Sequence, residues 1–258
     1  MNRINQLFSQ KQHNILSLYF TAGYPGIDDT VPILEAMAAQ GVDMAEIGIP
    51  FSDPMADGTT IQNSSQIALK NGMTLSKLFE QLKDIRQKID IPLVMMGYLN
   101  PIMQYGIENF CRDCASTGID GVIIPDLPFA EYLRDYKPLA DRYGLKFIML
   151  ITPETSEERI RLIDEHTDGF IYMVSTAATT GTQNSFSDAT LSYFHRIDRM
   201  GLRNPRLIGF GISNAATCTA AQNAANGVIV GSGFIKALAA SSDNLPQAVA
   251  NLLKQLRN

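Results

Sequence analysis

The run Ala45–Gln62, AEIGIPFSDPMADGTTIQ, gathers three carboxylates in two kinds of setting. Met44–Gly48 reads as a short apolar strand with Glu46 inside it, and strand alternation puts Glu46 on one face with Met44 and Gly48. Pro50, Asp53-Pro54 and Asp57-Gly58 then mark a loop, and a helical pattern follows from Thr60. A buried carboxylate costs free energy unless it is paired or neutral. Acid–base chemistry uses carboxyl groups whose surroundings push their proton affinities apart. Glu46 and Asp57 are therefore the candidate catalytic pair. Each has a plainer alternative: Glu46 as a salt-bridged core residue, although no basic residue is near it in sequence, and Asp57 as the cap of the helix beginning near Thr59. Asp53 reads as a turn residue.

Other chemistries fail on residue type. A Schiff-base aldolase needs a lysine at the C-terminal end of a strand, but Lys146 opens a strand at its other end and Lys236 falls in a short helix. A metal site needs clustered ligands, whereas His13, His166 and His195 are scattered over a lead-in, a helix end and a helix, so no metal is expected. Cys111 and Cys114 form a CxxC inside a helical pattern rather than at a helix start, which makes them inert packing residues. With Cys218 they are the only cysteines, a usage that suits a reducing cytoplasm. Net charge is −5, and no basic cluster points to nucleic acid. No window approaches the apolar length of a membrane span, and the polar N-terminus lacks a signal-peptide core.

The elements that must position these residues alternate regularly. Strands are predicted at Ile15–Phe20, Met44–Gly48, Pro92–Gly97, Gly121–Ile124, Phe147–Ile151, Phe170–Val174, Arg206–Gly209 and Val228–Val230. Each is followed by a helical stretch, with further helices at 3–10 before the first strand and at Phe234–Leu238 after the last. The strands are continuous apolar runs, as in a parallel sheet covered on both faces. Eight such units in 258 residues predict an α/β fold, a (β/α)8 TIM barrel spanning 1–258 as one domain, with an extra N-terminal helix and a short extra helix after strand eight. A doubly wound open sheet is the competing architecture.

The loops after strands seven and eight are Gly209-Phe-Gly-Ile-Ser213 and Gly231-Ser232-Gly233, the second directly before the extra helix. Barrels often bind phosphate with these two loops and a helix N-terminus. Gly211, Gly231 and Ser232 are thus candidate phosphate ligands, and Gly181, in the long loop after strand six, could close over the same anion. Phe20, Leu99, Leu127, Phe129 and Phe210 are available to hold an apolar ring, and Tyr172 combines packing with a hydroxyl near the rim.

These residues carry a resemblance over essentially the whole chain. Thr21-Ala-Gly-Tyr-Pro, Glu46-Ile-Gly-Ile-Pro-Phe-Ser-Asp-Pro-Met-Ala-Asp-Gly with Ile61-Gln62, Tyr98-Leu-Asn-Pro with Tyr105-Gly106, Pro125-Asp-Leu-Pro, Gly209-Phe-Gly-Ile-Ser and Val230-Gly-Ser resemble the tryptophan synthase alpha subunit family. The resemblance implies a lyase that splits indole-3-glycerol phosphate, by a retro-aldol reaction, into indole and glyceraldehyde 3-phosphate. It implies that Glu46 is the acid–base residue, that Asp57 faces the indole nitrogen, that Thr180 bonds Asp57 on loop closure, and that Gly181, Gly211, Gly231 and Ser232 hold phosphate. It also implies no cofactor on this chain, and a beta subunit carrying pyridoxal phosphate in an alpha2beta2 assembly, met through the Asp53-Pro54 loop, the Asn100-Pro101 region and the loop after strand six. Alternatives are a regulatory barrel that activates the beta subunit, and a free-standing lyase that releases indole. The chain departs from the family pattern at Thr59, where proline is common, at Thr176 and Ala178-Thr179, where arginine and Gly-Val are common, and at Phe129-Ala130, where Pro-Glu is common.

Overall fold

The computed structural model describes residues 1–175 and 185–257. Eight parallel strands close into a barrel in sequence order: β1 (Ile15–Thr21), β2 (Met44–Gly48), β3 (Leu93–Met96), β4 (Gly121–Ile123), β5 (Lys146–Ile151), β6 (Ile171–Val174), β7 (Arg206–Gly209) and β8 (Gly227–Val230). β8 pairs back onto β1 through Ile15–Gly227 and Leu18–Val230, so the sheet has no edge and the open doubly wound alternative is excluded. Around it run α1 (Arg3–Gln10), α2 (Thr30–Ala39), α3 (Thr59–Lys70), α4 (Leu75–Leu82), α5 (Leu99–Tyr105), α6 (Ile107–Thr117), α7 (Phe129–Glu131), α8 (Lys137–Tyr143), α9 (Glu157–His166), α10 (Asp188–Arg199), α11 (Ala215–Ala224), α12 (Ser232–Ala240) and α13 (Leu245–Arg257). Among the described residues, no helix is long and apolar enough to cross a membrane.

Two apolar layers follow from strand alternation. Outward residues such as Leu18, Phe20, Ile47, Met95 and Val122 pack against the helices. Inward residues Ile15, Met44, Val94, Ile123, Ile148, Tyr172, Leu207 and Ile229 fill the barrel. Helix α1 closes its N-terminal end: Ile4 is fully buried in that inner layer, and Phe8 packs 5.9 Å from Phe170. A side chain on Gly121 would strike Ile4 at 2.8 Å, so glycine is what lets the plug seat.

Two elements differ from the sequence expectation. Tyr98-Leu-Asn-Pro101, which reads as a turn, opens α5; proline in the first helical turn forfeits no intrahelical bond because the N–H there would be unpaired anyway. The single helix expected over Phe129–Tyr143 is three pieces, with a π turn at Tyr132–Tyr136 just before Pro138. Proline cannot donate back to the preceding turn, and the wider π turn absorbs the mismatch.

Candidate functional site

Strand β2 carries Glu46 into the barrel. Its neighbours in register are Tyr19 on β1 and Val94 on β3, and Val94 belongs to the inner layer. Glu46 is 0% exposed. Its Oε1 accepts a 2.9 Å hydrogen bond from the Ser17 hydroxyl, while Oε2 has no partner among the described residues. Burial pushes the carboxyl up to about 8, against the opposing pull of the Ser17 bond. No salt bridge reaches it, which removes the plain alternative of a paired core glutamate among the described residues.

Above Glu46, at the C-terminal rim, lies a cavity of about 50 Å³ lined by Tyr19, Asp57, Gly58, Ile61, Met96, Tyr172, Phe210, Ile229, Gly231 and Ser232. The two tyrosines reach their places because glycines yield the space: a Cβ on Gly48 would lie 2.2 Å from the Tyr19 hydroxyl, and one on Gly209 would lie 2.1 Å from that of Tyr172. Burial raises both phenols, and the charges of Glu46 and Asp57 raise them further. Tyr172 meets Phe210 edge-on, with ring centroids 6.3 Å apart.

Asp57 does not cap α3. The cap is Gly58, with no side-chain bond, so the Asp57 carboxyl is left to the cavity. Burial raises it to about 6, and a hydrogen bond from the Tyr98 hydroxyl opposes that rise. The same hydroxyl accepts from the Ala56 N–H at 2.9 Å, and Gln62 Nε2 donates to the Asp57 carbonyl at 2.8 Å. Tyr98 and Gln62 thus hold a loop that otherwise has few bonds. Thr59 is the first residue of α3. Proline would pre-set the backbone there, so the loop enters the helix with one restraint fewer than the family pattern gives.

On the opposite side of the rim, Phe210 and Gly211 both take left-handed backbone, φ 68° and 72°. Gly231 precedes α12, whose geometry leaves the N–H groups of Ser232 and Gly233 without a partner inside the helix. These donors, with the Ser232 hydroxyl, are groups of the kind that can bind an anion.

Of the residues expected from sequence, the geometry brings together Asp57, Tyr172, Phe210, Gly231 and Ser232, with Glu46 beneath them. Phe20 is corrected: it points outward, fully buried against Phe234 at 6.5 Å, and its neighbour Tyr19 takes the place on the cavity wall. A one-residue step reverses the face of a strand: the wholly apolar face of Leu16, Leu18 and Phe20 turns to the helices, and the mixed face of Ile15, Ser17, Tyr19 and Thr21 turns into the barrel. Leu99 and Leu127 also lie off the cavity, packed in the outer layer. Gly211 sits beside rather than on the cavity wall, where an added side chain would meet Phe186 at 3.3 Å and Ser175 at 3.5 Å. Thr180 and Gly181, like Thr176 and Ala178-Thr179, lie outside the described residues. Tyr19, Tyr98, Met96, Ile61 and Ile229 come to the site from the structure alone. Phe129 is buried beside Tyr132, with the Arg159 guanidinium 4.4 Å above its ring, so it packs rather than binds. Cys111 and Cys114 are buried, and burial raises both thiols, Cys111 to about 12. Among the described residues no cluster of three or more His, Cys, Asp or Glu is placed to hold a metal.

Comparison with known proteins agrees with this geometry. A family model described as tryptophan synthase alpha chain matches residues 5–258. The chain is 59% identical over 258 residues to the tryptophan synthase alpha chain of Phocaeicola vulgatus, covering 100% of both, and 61% identical over 243 residues to that of Bacteroides thetaiotaomicron, covering 94% of this chain and 95% of that one. Among solved structures, a tryptophan synthase alpha-subunit of Pyrococcus furiosus superposes with a TM-score of 0.86 at 34% identity, covering 95% of this chain and 98% of that one. The alpha subunit of Legionella pneumophila gives 0.88 at 31%, covering 100% and 97%. With a family match over nearly all its length, full-length relatives well above half identity, and the same barrel, the chain belongs to the tryptophan synthase alpha chain family.

Proposed function

We propose that this chain is a carbon–carbon lyase that cleaves indole-3-glycerol phosphate to indole and glyceraldehyde 3-phosphate, the alpha reaction of tryptophan biosynthesis. The observation that carries the reading is Glu46: a wholly buried carboxyl with one hydrogen bond, one unpartnered oxygen and an affinity for protons raised to about 8, set beneath a cavity that holds a second carboxyl, Asp57.

The chemistry uses these two groups in turn. Protonated Glu46 gives its proton to indole C3. Positive charge then develops at the ring nitrogen, where the Asp57 carboxylate, sheltered from water, stabilises it. Glu46, now a carboxylate, takes the proton of the glycerol hydroxyl next to the scissile bond. That C–O becomes the aldehyde carbonyl, the C–C bond breaks, and its electron pair returns to the ring as indole. Glu46 ends protonated, ready for the next turn. A carboxyl of ordinary acidity would be ionised at neutral pH and unable to open this cycle. Tyr19, Phe210 and Tyr172 would flank the indole ring. Ser232 with the N–H groups at Gly231, Gly211 and the start of α12 would hold the phosphate. Thr180 and Gly181 remain proposed closing residues.

The chain itself calls on no cofactor in this scheme. The proposed partner is a beta subunit whose pyridoxal phosphate receives the indole. The surface that supports this is the rim beside the site, where the Asp53-Pro54 loop and α5 adjoin through the Ala56–Tyr98 bond and present Met55 (88% exposed) and Met103 (58% exposed). A cytoplasmic location is part of the same proposal.

The test is release of indole from indole-3-glycerol phosphate by the purified chain, with and without a beta subunit. Turnover that rises strongly with the partner is expected. No turnover in either case, with stimulation of the beta subunit alone, would make the chain a regulatory barrel. Full turnover without the partner would make it a free-standing lyase.

A further inference from the structure

We propose that Ser17 is a positioning residue for the acid–base carboxyl, holding Glu46 Oε1 so that Oε2 alone faces the substrate and carries the exchanged proton. The proposal rests on the reading of Glu46 given above. Ser17 lies on the inward face of β1 with Ile15 and Tyr19, in a position where its neighbours in the barrel are apolar. It is 0% exposed, and its hydroxyl spans strands to Glu46 Oε1 at 2.9 Å, the one hydrogen bond the carboxyl receives among the described residues. A serine buried among Ile15, Met44 and Ile229 has no packing reason to be there. Its hydroxyl is satisfied by the carboxyl, and the carboxyl is half satisfied by it.

That asymmetry does two things. Oε1 is tied, so the free rotor of the carboxyl is fixed and Oε2 is left as its unpartnered oxygen among the described residues. In the neutral acid, Oε1 is the carbonyl that accepts from Ser17 and Oε2 bears the proton, so the proton already sits on the oxygen that must deliver it. In the carboxylate, the same bond stabilises the charge and keeps proton affinity from climbing as far as burial alone would drive it. The other titratable groups that interact with Glu46 are Tyr19 from β1 and Tyr172 from β6, both on the cavity wall with Asp57 from the loop after β2; β3 and β8 bring only Val94, Met96 and Ile229. None is cationic, so Ser17 is the group that opposes burial.

The test is Ser17→Ala and Ser17→Cys in the full chain, read by isotope-edited infrared titration of the Glu46 carboxyl against Glu46→Gln, and by the pH profile of kcat. In Ser17→Ala the titration midpoint and the basic limb of kcat should rise together by about one to two pH units, since a hydrogen bond to a charged group is lost. The acid C=O band should move to higher frequency and KM should stay within about twofold, because the substrate itself is not touched. Ser17→Cys, with a weak S–H donor of similar shape, should fall between. A midpoint and basic limb unchanged in both variants would overturn the role. A chain that lacks lyase activity but shows a Ser17-dependent midpoint would overturn the reaction while leaving Ser17 as the group that sets Glu46.

Discussion

Two buried carboxylates at opposite ends of this barrel receive opposite treatment. At the N-terminal end, Asp120 is 4% exposed and saturated: Arg86 Nη2 lies 2.6 Å away, Arg3 Nη1 3.4 Å, and the Leu93 N–H donates at 3.0 Å. At the C-terminal end, Glu46 is more deeply buried and has one neutral donor. A fold that wanted only stability would pair both, because an uncompensated charge in the interior is expensive. The first carboxylate ties α1 and the segment after α4 to the barrel floor. The second is kept short of partners, and the shortage is what holds a proton on it near neutral pH. In barrels of this kind one rim serves stability and the other chemistry; here the division can be followed through the hydrogen bonds of two side chains.

Substitutions should break the two ends differently. Glu46→Gln should lower kcat by about a thousandfold or more, with binding of a phosphate-bearing ligand nearly unchanged. Its stability should be equal to or above wild type, and the sign depends on pH. The folded carboxyl, raised to about 8 from 4.5, keeps a proton that the unfolded chain has released between those values. Native stability therefore falls as pH rises through that window, with no penalty below it and the full penalty above it. The advantage of Glu46→Gln in denaturant melts should be absent at pH 4 and on the order of a few kcal/mol at pH 8.5.

Asp120→Ala should show the reverse. Leaving the half-buried Arg86 without its carboxylate should cost on the order of 3 kcal/mol, a fall of roughly 10 °C in Tm, while kcat per folded molecule stays near wild type. Equal damage to turnover in both variants would erase the distinction between the ends. Next in size, Asp57→Asn should lower kcat about a hundredfold with little change in Tm, since Asp57 caps no helix. The smallest effect sharpens the picture of the catalytic end alone. Asp57 must be ionised and Glu46 protonated, so kcat should rise through about pH 6 and fall through about pH 8.

Much of this was legible in the residues. Glu46 could be placed inside the barrel because Met44–Gly48 is a short strand of fixed parity, and the observed strand has those same bounds. The glycine turns after β7 and β8 could be assigned because positive φ and a bare helix start leave recognisable residues. Tyr19 could not be told from Phe20 by ring size, since each face of Ile15–Thr21 carries one aromatic residue and the register with β2 decides which side chain meets Glu46. Tyr98 was obscured by Asn100-Pro101, whose turn signal also fits the first turn of a helix. Ser17 had no sequence signal at all: a serine in an apolar strand acquires meaning only when the strand beside it brings a carboxyl 2.9 Å away.

Glu46 stays protonated at neutral pH because the fold buries it and gives it one neutral donor, Ser17. Titration of its labelled carboxyl carbon by NMR in the resting protein measures this without reference to turnover. A midpoint near 8 is predicted; a midpoint near the ordinary glutamate value of about 4.3 would mean the group is charged throughout the neutral range, and the mechanism built on its proton would fall with it.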